Sequence, residues 1–278
     1  MLTVLIAVKA VLDSNVVVRI KQDGSDFDNI NSKLSLNPFD EVAIEEALKL
    51  KEQGIVSKII AVSIGQNKNI DILRLALARG ATDAILIDAT NYNISNIENN
   101  PLSIAKILTA LVGLENPDLI FLGKKAIDNE CGFVGQMLAA MLDYPQSVAA
   151  SQIEMQIDNS DKNANNNLNN HLSDNKITHI VSTNEVDNGT IKMQLTLPAV
   201  ITVDLNLNKP RFVKLPQLMW AKKQIIKTII IDDLNINLQQ NQIITHIIDS
   251  NTQKQCQFFD TKEQLLSFIK QQTLNFPI

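Results

Sequence analysis

Between residues 117 and 142 an apolar run, Leu119–Leu122, passes through a glycine-bounded polar loop into a segment with helical spacing. This succession restricts the fold more than any other stretch of the chain. A strand that ends in a glycine-containing loop at a helix N-terminus is the unit of a parallel α/β sheet. It also makes an anion site, because first-turn N–H groups have no partner within the helix. Gly132 and Gly135 would let the backbone approach a phosphate. The loop lacks the lysine–serine pair of a P-loop and has no GxGxxG. It can therefore hold a nucleotide, but nothing in it would hydrolyse one.

The same rhythm runs through the first 150 residues. Leu2–Val8, Lys58–Ser63 and Ala84–Ile87 are apolar, β-branched runs; Phe39–Gln53, Ile70–Arg79 and Pro101–Leu114 carry apolar residues at helical spacing. Pro38 sits near the first turn of the first helix, and Asp40, Glu41, Glu45 and Glu46 complement its positive end. Gly54 and Gly80 stop the first two helices. The expected fold class is α/β: a doubly wound, mostly parallel sheet with helices on both faces. Such sheets bind ligands at the carboxyl ends of their strands, an edge shared here by the loops after Val8, Ser63 and Leu122. Residues 158–176 are Asn-rich and read as a flexible loop tip between strands Gln152–Ile157 and Ile177–Ser182. The expected division is a nucleotide-binding domain over 1–205 and an extended C-terminal arm over 206–278. The arm carries Pro210, Pro216 and a helix near Lys262–Gln271. It is too thin for its own core and would wrap either its domain or a partner.

Composition narrows the function. A net charge of −5 argues against general nucleic-acid binding. The apolar runs are strand-length, so no membrane insertion is expected. The opening MLTVLIAVKAVL has no leading basic residues and reads as a first strand, not as a signal or transit peptide. Cys131 and Cys256 lie far apart and suggest a reducing compartment, for which the expectation is a bacterial cytoplasm. The catalytic inventory is poor: His171, His179 and His246 have no acid or cysteine at metal-ligand spacing, and no GxSxG, HExxH or CxxC occurs. Cys131, near a helix start, has a setting that can activate a thiol, although a small residue facing the loop interior is the favoured reading. Lys124 and Lys125 read as solvated or as phosphate partners. Asp128, Asn129 and Glu130 argue for phosphate contact through backbone N–H groups. Asn37, before Pro38, reads as a helix cap and, from its place on the sheet edge, as a second candidate for ligand contact.

Eight segments together resemble the electron transfer flavoprotein beta subunit, in the family's order and at close to its spacing: AVKAVLD (7–13), LNPFDEVAIEEALKLKE (36–52), AVSIG (61–65), LALARGATDAI (75–85), DLIFLGKKAIDNECGFVGQMLAAMLDYPQ (118–146), NEVDNG (184–189), LPAVITVDLNLNKPRF (197–212) and LPQLMWAKK (215–223). The resemblance covers about residues 2–224. It implies an adenine nucleotide α-hydrolase-like fold, a C-terminal arm around an alpha subunit, FAD held mainly by that subunit, and a structural AMP in the beta subunit. Flavin would do the redox chemistry, so the chain would be an electron carrier and not an enzyme. It would pass electrons from flavoprotein dehydrogenases, such as the acyl-CoA dehydrogenases of fatty-acid oxidation, to the electron transfer flavoprotein–quinone oxidoreductase of the respiratory chain.

The AMP site implied by the resemblance comprises Ala7, Asn37, Ile64, Gly123, Ala126, Asn129, Gly132, Phe133, Val134 and Gly135. Where the family carries polar side chains, including a hydroxyl, this chain has Gly132, Phe133 and Val134. Losing two charge-assisted hydrogen bonds at about 1.5–3 kcal/mol each would weaken AMP a hundredfold or more; weaker AMP, another small ligand or none are the alternatives. Phe39 matches an aromatic that approaches the flavin, and Ser14 replaces a second one. Leu215, with Leu218 and Met219, matches a knob inserted into partner dehydrogenases, beside Trp220 where a lysine is usual. Glu185 matches an acid that pairs with arginine at an interface. Lys222 and Lys223 read as surface charges. The competing reading is a stand-alone AMP- or ATP-binding module of the α-hydrolase type.

Overall fold

The computed structural model describes residues 1–13, 16, 20–21, 34–92, 97, 100–157, 177–238 and 257–273. Ser14, His171, His246, Cys256 and the Asn-rich stretch 158–176 lie outside the described residues. The elements are β1 (Leu2–Ala7), β2 (Ala10–Leu12), β3 (Leu34–Leu36), α1 (Pro38–Glu52), β4 (Val56–Gly65), α2 (Ile70–Arg79), β5 (Asp83–Asp88), α3 (Pro101–Glu115), β6 (Leu119–Gly123), α4 (Val134–Leu142), β7 (Gln146–Ile157), β8 (Ile177–Val186), β9 (Gly189–Thr196), β10 (Ala199–Val203), α5 (Leu215–Ala221), β11 (Lys227–Ile230) and α6 (Lys262–Thr273).

Among the described residues nine strands form one sheet in the order β11-β5-β4-β1-β6-β10-β7-β8-β9. Pairing is parallel from β11 to β7 and antiparallel from β7 to β9. The chain moves from β1 to β4 and β5 on one side, then crosses to β6 on the other. The strand order thus reverses at β1, and the crevice lies at the carboxyl ends of β1 and β6.

The sequence dictates two cores. Successive residues of a strand face opposite sides. Val4, Ile6 and Phe121 therefore pack with Val42 and Ala47 of α1 and Leu73 and Leu77 of α2. Leu5, Ile120 and Leu122 pack with Leu108 and Leu111 of α3 and Leu138 of α4. Parallel strands covered on both faces have no polar side to show, which is why β4 reads as a nearly unbroken apolar run. The meander differs: on β7, Glu154 and Gln156 are exposed while Ile153 and Met155 pack inward, the alternation of a half-solvated sheet.

Helix starts follow local chemistry. Asn100 caps α3 by accepting from the N–H groups of Leu102 and Ser103, with Pro101 in the first turn. Gly80, at φ 128°, ends α2. Gly135 serves packing: a Cβ there would lie 2.3 Å from Thr202 Cγ2 of β10, so its small size lets α4 sit close on the sheet.

The chain divides into two compact units, Met1–Val18 with Asp28–Ile244, and Arg19–Phe27 with Thr245–Ile278. The stretch expected to open the arm contributes α5 and the edge strand β11 to the first unit. In the second unit, α6 is an amphipathic helix, and the Phe259 and Phe268 rings meet at a centroid distance of 5.1 Å. Among the described residues, no helix is long and apolar enough to cross a membrane.

Candidate functional site

A cavity of about 130 Å³ opens at the carboxyl ends of β1, β4 and β6. Ala7, Ile64 and Gly123, the terminal or next-to-terminal residues of those strands, line it together with Ala126, Asn129, Gly132, Val134 and Gly135 of the loop and α4. Asn37 enters from the start of α1. The remaining wall is apolar (Val8, Val62, Ile104, Leu108, Leu122) apart from Lys9, Asp40, Lys124 and Lys125. Cys131 also faces the cavity. Of the residues expected here, Phe133 does not line it and is 58 % exposed. Phe39, expected to approach the flavin, lies at the first turn of α1 and is 5 % exposed.

Two ends of the cavity differ in chemistry. Val134 begins α4, and Phe133 before it offers no side-chain cap, so the first-turn N–H groups and the positive helix end are left for an anion. Gly132 takes φ 62°, a conformation that strains any residue with a Cβ. The charged side chains of the loop are spoken for: Asp128 pairs with Lys9 at 2.7 Å, Glu130 with Lys125 at 2.8 Å, and Lys124 with Asp204 at 2.9 Å. These partly exposed pairs add little stability, but they neutralise the loop acids and leave its backbone N–H groups without a competing side-chain charge.

The other end is built on Asp40. Its Oδ2 accepts from the Lys9 N–H at 2.8 Å, and its Oδ1 accepts from the Gly123 N–H at 3.2 Å and from Asn37 Nδ2 at 3.0 Å. One carboxylate therefore ties the ends of β1 and β6 to the start of α1. Asn37 occupies the cap position of α1 but makes no side-chain cap bond. Its Nδ2 donates to Asp40 and to the Lys125 carbonyl, and its Oδ1 is buried without a partner among the described residues. From the sequence alone Asp40 reads only as a complement to the helix dipole. The available signal was the Asn37-x-x-Asp40 spacing of a capping box, here redirected from the cap to two neighbouring strands.

Burial pushes the Asp40 carboxyl up from 3.8 to about 7, against the pull of its N–H donors and Lys9. The folded chain thus holds a proton more tightly than the unfolded one. This contribution to stability is full below about 3.8 and is lost as pH rises through about 7. The unfolding free energy is expected to be about 1 kcal/mol larger at pH 6 than at pH 8. Urea midpoints at the two pH values measure this, and Asp40→Asn should flatten the difference. Equal midpoints in the unaltered chain would show that Asp40 titrates outside this window.

A second surface is formed by α5. Leu215 is 71 % exposed. Met219 and Trp220 are exposed beside it, whereas Leu218 packs on the core and Ala221 is buried. The three residues expected to form a knob are thus divided: Leu215 and Met219 face out, and Leu218 anchors the helix. Arg211, four residues upstream, grips α1 through Glu45 and Glu52. Glu185, exposed on β8, accepts from Asn206 Nδ2 at 3.3 Å. His179 lies on β8 beside Thr178 and away from the cavity lining. No cluster of three metal-ligating side chains occurs among the described residues.

Residues 29–234 match the electron transfer flavoprotein domain family. The chain is 38% identical to the mitochondrial electron transfer flavoprotein subunit beta of Arabidopsis thaliana over 269 residues, 96% of this chain and 97% of that relative. It is 36% identical to the subunit beta of Mus musculus over 270 residues, 97% of each chain. It is 41% identical to that of Bradyrhizobium diazoefficiens over 235 residues, 84% of each. The parallel sheet, the cavity at its carboxyl edge and these similarities agree: the chain belongs to the electron transfer flavoprotein beta-subunit family.

Proposed function

We propose that this chain pairs with an alpha subunit that holds FAD, and that the pair carries electrons from flavoprotein dehydrogenases, such as acyl-CoA dehydrogenases, to the quinone oxidoreductase. Bound FAD would supply the redox chemistry. This chain would hold AMP in the cavity, contribute Phe39 to the flavin's surroundings, and present Leu215 and Met219 to dehydrogenases. The knob's exposure supports docking. On α6 the half-exposed Leu265, Leu266 and Ile269 support an arm that meets a partner.

The observation that carries the AMP reading is the pair of unmet groups in one apolar cavity: the uncapped N-terminus of α4 and the orphaned Asn37 Oδ1. A phosphate suits the first, and an N–H or O–H donor on a base or sugar suits the second. The side chains at 132–134 offer no polar contact, so the phosphate would rest on backbone N–H groups alone.

Co-expression with the alpha subunit tests the proposal. The expected result is one yellow two-chain complex from which mass spectrometry of released small molecules recovers FAD and AMP. Subunits that elute separately and without colour would overturn it. Nucleotide bound to this chain alone, with no affinity for the alpha subunit, would favour the stand-alone module.

A further inference from the structure

The amide of Asn37 cannot choose how it meets a ligand. Its Nδ2 donates to Asp40 Oδ1 and to the Lys125 carbonyl, each at 3.0 Å. Both partners are acceptors, so the network fixes which end of the amide is nitrogen. Turning the amide over would set its oxygen against a carboxylate and a carbonyl at once. Asp40 in turn is held by the Lys9 and Gly123 N–H groups and has little freedom to yield. The consequence is an oxygen that is buried, unpartnered and fixed. Asn37 is 2 % exposed. Of the buried polar side-chain atoms without a partner among the described residues, Asn37 Oδ1 alone belongs to a residue lining the cavity.

We propose that Asp40 is a positioning residue that holds Asn37 with its oxygen free for the ligand, so that the cavity selects a mononucleotide offering an N–H or O–H donor at that point. This rests on the mononucleotide reading above. The donor is either the exocyclic amino group of an aminopurine or a sugar hydroxyl. A ligand that brings an oxo group or a bare carbon to the same point leaves Asn37 Oδ1 buried and unmet, and the cost falls on its affinity.

The test is calorimetric titration of the two-chain complex, co-expressed as above and stripped of small molecules, at pH 8. The probes are AMP, IMP, 2′-deoxy-AMP and 3′-deoxy-AMP. AMP should exceed one of the three analogues by about ten- to a hundredfold. IMP as the weak probe assigns the amino group, and a deoxy analogue assigns the sugar. Asp40→Asn should bring that ratio to within about threefold, because the amide it introduces can donate to a reversed Asn37 amide and free the choice. Asn37→Ala, which keeps Asp40, is the second variant and should also lose the ratio.

Three results would overturn the inference alone while leaving nucleotide binding in place. They are equal binding of all four probes by the unaltered chain, a ratio that survives in Asn37→Ala, and a ratio that survives in folded Asp40→Asn. The last includes loss of AMP and the weak analogue by one common factor, which is what a merely structural Asp40 would give. Failure of the unaltered chain to bind any probe would overturn the mononucleotide reading and this inference with it.

Discussion

Replacing Gly123 with alanine is expected to destabilise the chain by about 3 kcal/mol and to weaken mononucleotide binding at least tenfold. A Cβ at this position would lie 2.4 Å from Asp40 Oδ1, 2.7 Å from Phe39 Cβ and 3.2 Å from Asn37 Nδ2. None of these is the loose end of a long side chain. Asp40 is pinned by the Lys9 N–H, and Phe39 Cβ moves only with α1. The methyl group must therefore displace the start of α1 from the end of β6. Overpacking of that kind costs about 1–3 kcal/mol. Losing the Gly123 N–H bond to the Asp40 carboxylate adds about 1.5–3 kcal/mol. Because the same movement carries Asn37 and Asp40, stability and binding should fall together. Gly113→Ala is the control: a Cβ there meets nothing within 4 Å. It lies inside α3, where alanine is favoured over glycine by up to about 1 kcal/mol. The measurement is the urea midpoint with an unchanged m-value. A shift for Gly123→Ala no larger than the control's would mean that the start of α1 adjusts freely and that the Asp40 tie is weak.

The parts of this fold legible in the sequence are those set by local chemistry. Helix α2 reads at its true bounds because Ile70–Arg79 is bounded by a glycine whose φ of 128° only glycine tolerates well. The shared edge of the loops after Val8, Ser63 and Leu122 was legible because parallel strands bring their carboxyl ends together whatever their order, whereas Ala7, Ile64 and Gly123 by name came from the family resemblance. Apolarity as a criterion failed where polar groups are buried in pairs. Strand β7 starts at Gln146, six residues before the expected Gln152. Its first half buries Ser147 and Ser151 against Ser182, Asn184 and the Thr183 carbonyl. Such residues look like loop until their partners, more than thirty positions away, are known. Lys124 and Lys125 were open to two readings for the same reason. Each is engaged by an acid, and for Lys124 that acid is Asp204, 80 positions on.

Arg211 is the clearest case of a residue that only the fold reveals, and its removal is the second large expected effect. It reaches Glu45 at 2.8 Å and Glu52 at 2.6 Å, 166 and 159 positions away. Asn208 reinforces the contact through the Val42 carbonyl and Glu46, and Arg79 donates to the Arg211 carbonyl. The segment leading into α5 is thereby stitched to α1 and α2. The two acids do not count equally. Glu52 is exposed and its pairing is screened by solvent. Glu45 is 6 % exposed, so without the guanidinium it keeps, among the described residues, only the Arg211 backbone N–H at 3.1 Å. Arg211→Ala is expected to cost about 2–3 kcal/mol, chiefly from a buried carboxylate left without its countercharge. Arg211→Lys should recover only part of this, since a single ammonium cannot fork across both acids. Under the proposed function, the same change frees the helix that presents Leu215. Docking then bears the cost of ordering it, and the KM for the complex as electron acceptor should rise about tenfold. The origin of the stability loss can be isolated with Glu45→Gln. In that background no buried charge is orphaned, and removing Arg211 should cost less than about 1 kcal/mol. If Arg211→Ala costs the same with glutamate or glutamine at 45, the loss comes from packing of the arginine stem on α1, and the electrostatic account of how this segment is held is wrong.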